Sequence, residues 1–248
     1  MADGGRPEPS DDDPLVARLA QVRRQVDLAA SAAGRPAGSV QILLATKTVP
    51  AERIVRALQA GAHLIGENRV QEVLAKFDAL SGQSYTSHFI GHLQRNKVAA
   101  LVGRVDCIQP LDSVDLAQRL QHRLELADAE MSVMVQVNVS GEASKSGVPP
   151  EAAGDLVAAL ATLPRLRLCG YMTIGLNSPD LSAVRAGYAR LREVRDGLAG
   201  DGLPGADDAT DLSMGMSGDF PAAIAEGATI VRVGSAVFGD RAAVRPAG

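Results

Sequence analysis

Tryptophan is absent from this chain of 248 residues, and aromatic residues make up only 3 % of it. A core of large rings is thereby excluded. The interior must be Ala, Val, Leu and Ile, as in a parallel sheet covered by helices on its faces. Cysteine occurs only as Cys107 and Cys169, each inside an apolar, strand-like run. Neither has a second Cys or His at metal-ligand spacing, so a zinc motif is excluded, and buried reduced thiols fit a cytoplasmic protein. Apolar runs of membrane-spanning length are missing, and so is a basic-then-apolar leader. Positive charge is not in excess: the net charge of −4 gives no broad basic surface for nucleic acid.

What is present is the composition of a soluble globular protein, with 46 % hydrophobic and 22 % charged residues. Residues 1–12 are polar and rich in Gly and Pro, which predicts a disordered tail. A barrel domain is expected over 13–241 and a short tail over 242–248. An approximate helical stripe through Leu15, Leu19, Val22, Val26, Leu28 and Ala29 predicts a first helix over 14–33. Apolar runs then predict strands at 41–47, 63–67, 87–91, 107–110, 132–139, 166–172, 211–214 and 229–233. Helical patterns fill the intervals, at 52–60, 70–80, 94–102, 113–127, 151–163, 181–198 and 218–226. The early strand starts recur at about the length of one βα unit, which predicts an α/β fold: a single (β/α)8 TIM-type barrel with an extra N-terminal helix. An open doubly wound sheet is the alternative.

Active sites of such barrels sit at the C-terminal ends of the strands. The first strand ends in Lys47, followed by Pro50; a solvated lysine at a strand end is the plain alternative. The second leads to Asn68, able to bond a ring substituent or simply to cap the next helix. The third leads to His92, suited to acid–base work near neutral pH or simply capping or packing at the strand end. The fifth is followed by a polar Gly/Ser loop over 138–147, either a rim over the site or a connection. The sixth carries Tyr171 and Met172, the latter either beside a flat ligand or filling the core.

The last two strand ends are more specific. Ser213-Met214-Gly215-Met216-Ser217 runs from a strand into a helix, and its small residues would let backbone N–H groups approach an anion. An ordinary Ser/Asp cap is the alternative. Arg232-Val233-Gly234-Ser235 offers further donors, at the usual phosphate position of these barrels. Arginine inside an apolar strand is costly unless paired, so Arg232 is expected to face a ligand or a carboxylate. A lysine at one strand end and phosphate-gripping turns at two others suggest pyridoxal 5'-phosphate (PLP).

Taken together these segments resemble the pyridoxal phosphate homeostasis proteins. The resemblance rests on Ala45-Thr46-Lys47-Thr48, Gly66-Glu67-Asn68-Arg69-Val70-Gln71-Glu72, His88-Phe89-Ile90-Gly91-His92-Leu93-Gln94-Arg95-Asn96-Lys97 and Gln136-Val137-Asn138-Val139-Ser140. Lys145-Ser146-Gly147, Gly170-Tyr171-Met172-Thr173-Ile174, Leu212-Ser213-Met214-Gly215-Met216-Ser217 and the segment from Arg232 to Gly239 extend it. It implies a PLP-binding barrel like the N-terminal domain of alanine racemase, with a covalent aldimine on Lys47. It further implies phosphate contacts from Ser213, Ser217, Gly234 and Ser235 and from the backbone of Met214 and Gly215. Arg232 would approach the pyridine nitrogen, and Asn68 and Met172 would line the ring. Tyr171 and His92 depart from the family pattern, which commonly has a smaller residue and often Pro at these places.

The implied role is cofactor carriage in intracellular PLP homeostasis, with apo PLP-dependent enzymes as recipients and the carrier itself expected to be a monomer. The alternative is a PLP-dependent enzyme such as an amino-acid racemase. Racemisation needs a base on each face of the ring. Only Lys47 is identifiable as one, with His92 and Tyr171 as candidates for the second. The short stretch after Arg241 leads to the expectation that no second domain supplies it.

Overall fold

Eight parallel strands close on one another in chain order, β1 to β8, each hydrogen-bonded to its sequence neighbours and β8 to β1. The computed structural model describes residues 13–142 and 145–239. The expected tails at 1–12 and 242–248 lie outside the described residues. The strands are β1 (Gln41–Ala45), β2 (Leu64–Glu67), β3 (Thr86–Phe89), β4 (Cys107–Leu111), β5 (Met131–Gln136), β6 (Leu166–Met172), β7 (Asp211–Met216) and β8 (Ile230–Val233). The barrel is the one the spacing predicts; the open-sheet alternative is excluded by the β1–β8 pairing.

Helix α1 (Pro14–Ala32) precedes the barrel. Its start is encoded locally: the Asp13 carboxylate accepts the Leu15 N–H at 2.9 Å and Pro14 occupies the first turn. Its apolar stripe, Leu15, Leu19, Val22, Val26 and Ala30, is buried. Around the barrel follow α2 (Ala51–Gln59), α3 (Val70–Leu80), α4 (Val114–Leu126), α5 (Ala153–Leu160), α6 (Leu181–Gly200), α7 (Phe220–Ala225) and α8 (Ser235–Phe238). Between β3 and β4 the predicted α-helix is instead a 3₁₀ helix, Arg95–Ala100, and α5 is entered through a 3₁₀ turn, Pro150–Ala152. The four-residue α8 is not visible in the sequence pattern.

Two apolar layers result. The larger joins the outward faces of the strands to the helices. The smaller fills the barrel with Leu43, Leu64, Cys107, Met134, Met172 and Ile230. Cys107 and Cys169 are free thiols inside it, with sulfurs 3.9 Å apart. Among the described residues no helix is long and apolar enough to cross a membrane.

Candidate functional site

The C-terminal mouth of the barrel gathers the predicted residues. β1 ends at Ala45, two residues before the predicted end, because the chain turns there: Val49 N–H donates to the Thr46 carbonyl at 2.9 Å, and Thr48 adopts φ +61°. Leu43 faces the interior, and Lys47 follows two residues after the strand end, where it is exposed. β8 lies alongside, with Leu43 level with Arg232 and Leu44 with Val233. Gly234 comes so close to the end of β1 that a Cβ there would meet the Ala45 carbonyl at 3.3 Å. The Gly234-Ser235 turn is thus brought to the strand end that carries Lys47.

The second turn is built just as tightly. Gly215 sits at φ +88°, and a Cβ there would lie 2.5 Å from that of Ala223, so both conformation and space require glycine. The Met216 N–H donates to the Asp219 carboxylate at 2.6 Å, and the other Asp219 oxygen accepts the Tyr188 hydroxyl at 2.8 Å. Among the described residues, no acceptor meets the backbone N–H groups of Ser217, Gly218, Gly234, Ser235 or Ala236. Ser217 is half-buried and Ser235 exposed, while the Met214 side chain is buried in the outer layer, leaving only its backbone to the turn.

Arg232 points inward and is buried. Its Nη1 donates to the Ser213 carbonyl at 2.7 Å and the Ser213 hydroxyl at 2.9 Å, and its Nη2 to the Thr173 carbonyl at 2.7 Å. These protein partners are neutral oxygens, with no carboxylate among them. Burial lowers its pKa to about 10, so it remains a cation at neutral pH. The Ser213 hydroxyl donates to Gln109 Oε1 at 2.8 Å, and Gln109 Nε2 lies 2.8 Å from His88 Nδ1. Arg232, Ser213, Gln109 and His88 therefore form one chain of hydrogen bonds across the barrel interior. It is fully matched when His88 is neutral with a free Nδ1 lone pair. Burial holds His88 in that state, lowering its pKa to about 4. The Ser213 hydroxyl is fully buried and braces Arg232, whereas Ser217 in the same turn is half-buried.

Asn68 and Met172 complete the picture. Met172 is buried in the barrel interior, and Asn68 follows β2 with its Oδ1 buried and without a hydrogen-bond partner. Tyr171 does not join them. Its ring is fully buried in the layer between barrel and helices, its hydroxyl has no partner, and burial pushes its pKa up to about 12. A residue on that side of the strand cannot act as a base at the mouth. His92 is exposed at the rim, its Nδ1 3.7 Å from the Asp112 carboxylate. The polar loop after β5 folds back on its strand: Val148 N–H donates to the Gln136 carbonyl at 2.8 Å, and Lys145 Nζ reaches the Gly175 carbonyl at 3.1 Å.

Sequence reasoning missed Gln109, His88 and Thr173. The signal that marks Arg232, a polar residue inside an apolar strand, is also present at Gln109, between Ile108 and Pro110. Two surface cavities, about 480 Å³ beside Arg95 and Arg119 and about 250 Å³ between α1 and β1, contain none of the predicted site residues.

The model of the alanine racemase N-terminal domain family matches residues 17–242. A pyridoxal phosphate homeostasis protein of Aquifex aeolicus is 42 % identical over 227 residues, spanning 90 % of this chain and 97 % of that one. The structure of PipY from Synechococcus elongatus with PLP bound superposes with a TM-score of 0.79 at 33 % identity, over 91 % of this chain and all of that one. Alanine racemase from Corynebacterium glutamicum shares the fold, with a TM-score of 0.69 at 16 % identity; this chain covers 62 % of its length. The chain belongs to the pyridoxal phosphate homeostasis protein family.

Proposed function

We propose that this protein binds PLP at the C-terminal mouth of the barrel, attaches it covalently through Lys47, and serves intracellular PLP homeostasis by holding the cofactor and passing it to apo PLP-dependent enzymes. The observation that carries the reading is the convergence at one rim of the Lys47 strand end with two turns whose N–H groups lack acceptors. The donor set suits a phosphate monoester: backbone N–H groups and neutral hydroxyls of Ser217 and Ser235, while the Asp219 carboxylate of the same turn is engaged by the Met216 N–H and the Tyr188 hydroxyl. The unpartnered Asn68 Oδ1 suits a donor on the ring, and Met172 gives an apolar surface beneath it.

The cofactor supplies an aldehyde, with which a lysine amine condenses to a C=N bond with loss of one water. The residues do the rest. Ser217, Gly234 and Ser235 would hold the phosphate, with the backbone at Met214 and Gly215 shaping the turn. Arg232, kept cationic and immobile by Ser213 and Thr173, would face the pyridine nitrogen and keep it unprotonated. A ring with an unprotonated nitrogen is a weak electron sink, which suits carriage better than catalysis at the substrate carbon.

Borohydride reduction of the protein loaded with PLP, followed by peptide mapping, tests the assignment. The phosphopyridoxyl group is expected on Lys47, and Lys47→Ala should lose it while the phosphate donors retain noncovalent cofactor. Full labelling of the variant at another lysine would overturn it. The loaded protein should also restore an apo PLP enzyme. Rapid exchange of amino-acid α-protons without such transfer would instead establish a catalyst.

A further inference from the structure

The peptide group before Lys47 is gripped from helix α3, and the one after it faces the same helix. Lys76, on α3 and buried, donates from Nζ to the Thr46 carbonyl at 2.9 Å, to Glu67 Oε1 at 2.7 Å and to Glu72 Oε2 at 2.6 Å. These bonds use all three ammonium hydrogens. The Thr48 backbone N–H faces Glu72, one turn earlier on α3, and helps hold its pKa down. Glu67 Oε1 takes the Thr46 hydroxyl as well, at 2.6 Å. The carbonyl before Lys47 is thus fixed by Lys76, which is itself held by Glu67 and Glu72.

Thr48 holds φ +61°, a left-handed conformation that β-branched residues rarely adopt and that persists only where the surroundings over-determine it. The cluster is costly in its own right. Burial raises the pKa of Glu67, and its Oε2 has no partner, whereas the bond from Lys76 lowers the pKa of Glu72. Apolar residues would attach α3 to the barrel at less cost. What they could not do is bind a particular carbonyl. Lys76 cannot itself take the role of Lys47: it is buried with its amine saturated.

We propose that Lys76, acting with Glu72 and Glu67, is a positioning residue for Lys47: it fixes the left-handed turn at Thr48 and so presents the Lys47 amine to the aldehyde at the barrel mouth. This rests on Lys47 being the attachment point. The step it assists forms one C=N bond between amine and aldehyde and releases one water, with no oxidant or reductant.

The test compares wild type with Lys76→Met. Two measurements report on the turn without cofactor: hydrogen exchange of the Thr48 amide, and the rate at which trinitrobenzenesulfonate labels Lys47. A third is the rate of borohydride-trappable PLP attachment, set against the affinity for pyridoxamine 5'-phosphate, which has no aldehyde. Thr48 exchange should accelerate, Lys47 labelling should change, and trapping should slow by roughly ten- to a hundred-fold, as misplacement of a reacting group does. Pyridoxamine phosphate affinity should stay within about two-fold, since its phosphate contacts are untouched. Unchanged exchange and trapping in the variant would overturn the proposal, as would an equal loss of pyridoxamine phosphate affinity, which would signal general distortion. Should Lys76→Met fail to fold, Glu72→Gln, which leaves Lys76 paired with Glu67, must show the same slowed trapping; a wild-type rate there overturns it. If wild type is not trapped at Lys47 at all, the cofactor assignment fails instead, and Thr48 exchange alone decides whether the clamp exists.

Discussion

The guanidinium of Arg232 on β8 is bound by Ser213 on β7 at two points, the carbonyl at 2.7 Å and the hydroxyl at 2.9 Å. Ser213 and Ser217 stand four residues apart in one motif yet play separate parts. Ser217→Ala should weaken PLP by about 1.5–3 kcal/mol, the usual loss for a hydroxyl bonded to a charged group. It should leave pyridoxal, which lacks the phosphate, nearly unaffected. Ser213→Ala should weaken both ligands alike, because it loosens Arg232 rather than the phosphate turn. Spectrophotometric titration with the two ligands reads the difference. Equal losses for Ser217→Ala would remove its phosphate role.

The His88 end of the same chain predicts a pH dependence. Its folded pKa of about 4 lies below the unfolded value of about 6.5. Between these values the unfolded chain binds the extra proton and the folded one does not, so this contribution to stability is complete above pH ~6.5 and is lost as pH falls toward ~4. The loss is on the order of 3 kcal/mol for the full shift. Denaturant unfolding across this window should show it. In His88→Gln the part of the slope due to this group should vanish, and a variant with the wild-type slope would show that His88 is not its source.

Tyr171 carries a buried hydroxyl without a partner. Tyr171→Phe removes only that oxygen, and relief of an unsatisfied buried group is worth about 1–3 kcal/mol. The variant should therefore be more stable than wild type in denaturant titration and should bind PLP unchanged. Loss of PLP binding would place Tyr171 at the site after all.

Much of the architecture is legible in the sequence because it is locally encoded. Apolar runs and amphipathic stripes depend on near neighbours, and they predict the strands and most helices within a few residues. Lys47 and the two Gly/Ser turns are marked in the same way, by small residues and charge at strand ends. Where the reading errs, a non-local contact decides. The 3₁₀ helix at Arg95–Ala100 carries a helix-compatible sequence, and β1 stops short of Lys47 where the Thr46 carbonyl is taken by the Val49 N–H and by Lys76 of α3.

The sequence alone determined the order of elements, the barrel period and the strand end from which Lys47 projects. Tertiary structure decided which side each residue takes and whom it meets. On β6 the register with β5 shifts by one residue, as Val133 pairs with Leu168 but Met134 with Gly170. The side-chain period is two, so that one extra residue turns Met172 into the barrel and Tyr171 out of it. The chain from Arg232 to His88 and the clamp on Lys47 likewise join residues far apart in sequence. Only closure of the barrel brings them within hydrogen-bonding distance, and burial, not pattern, makes each of those bonds necessary.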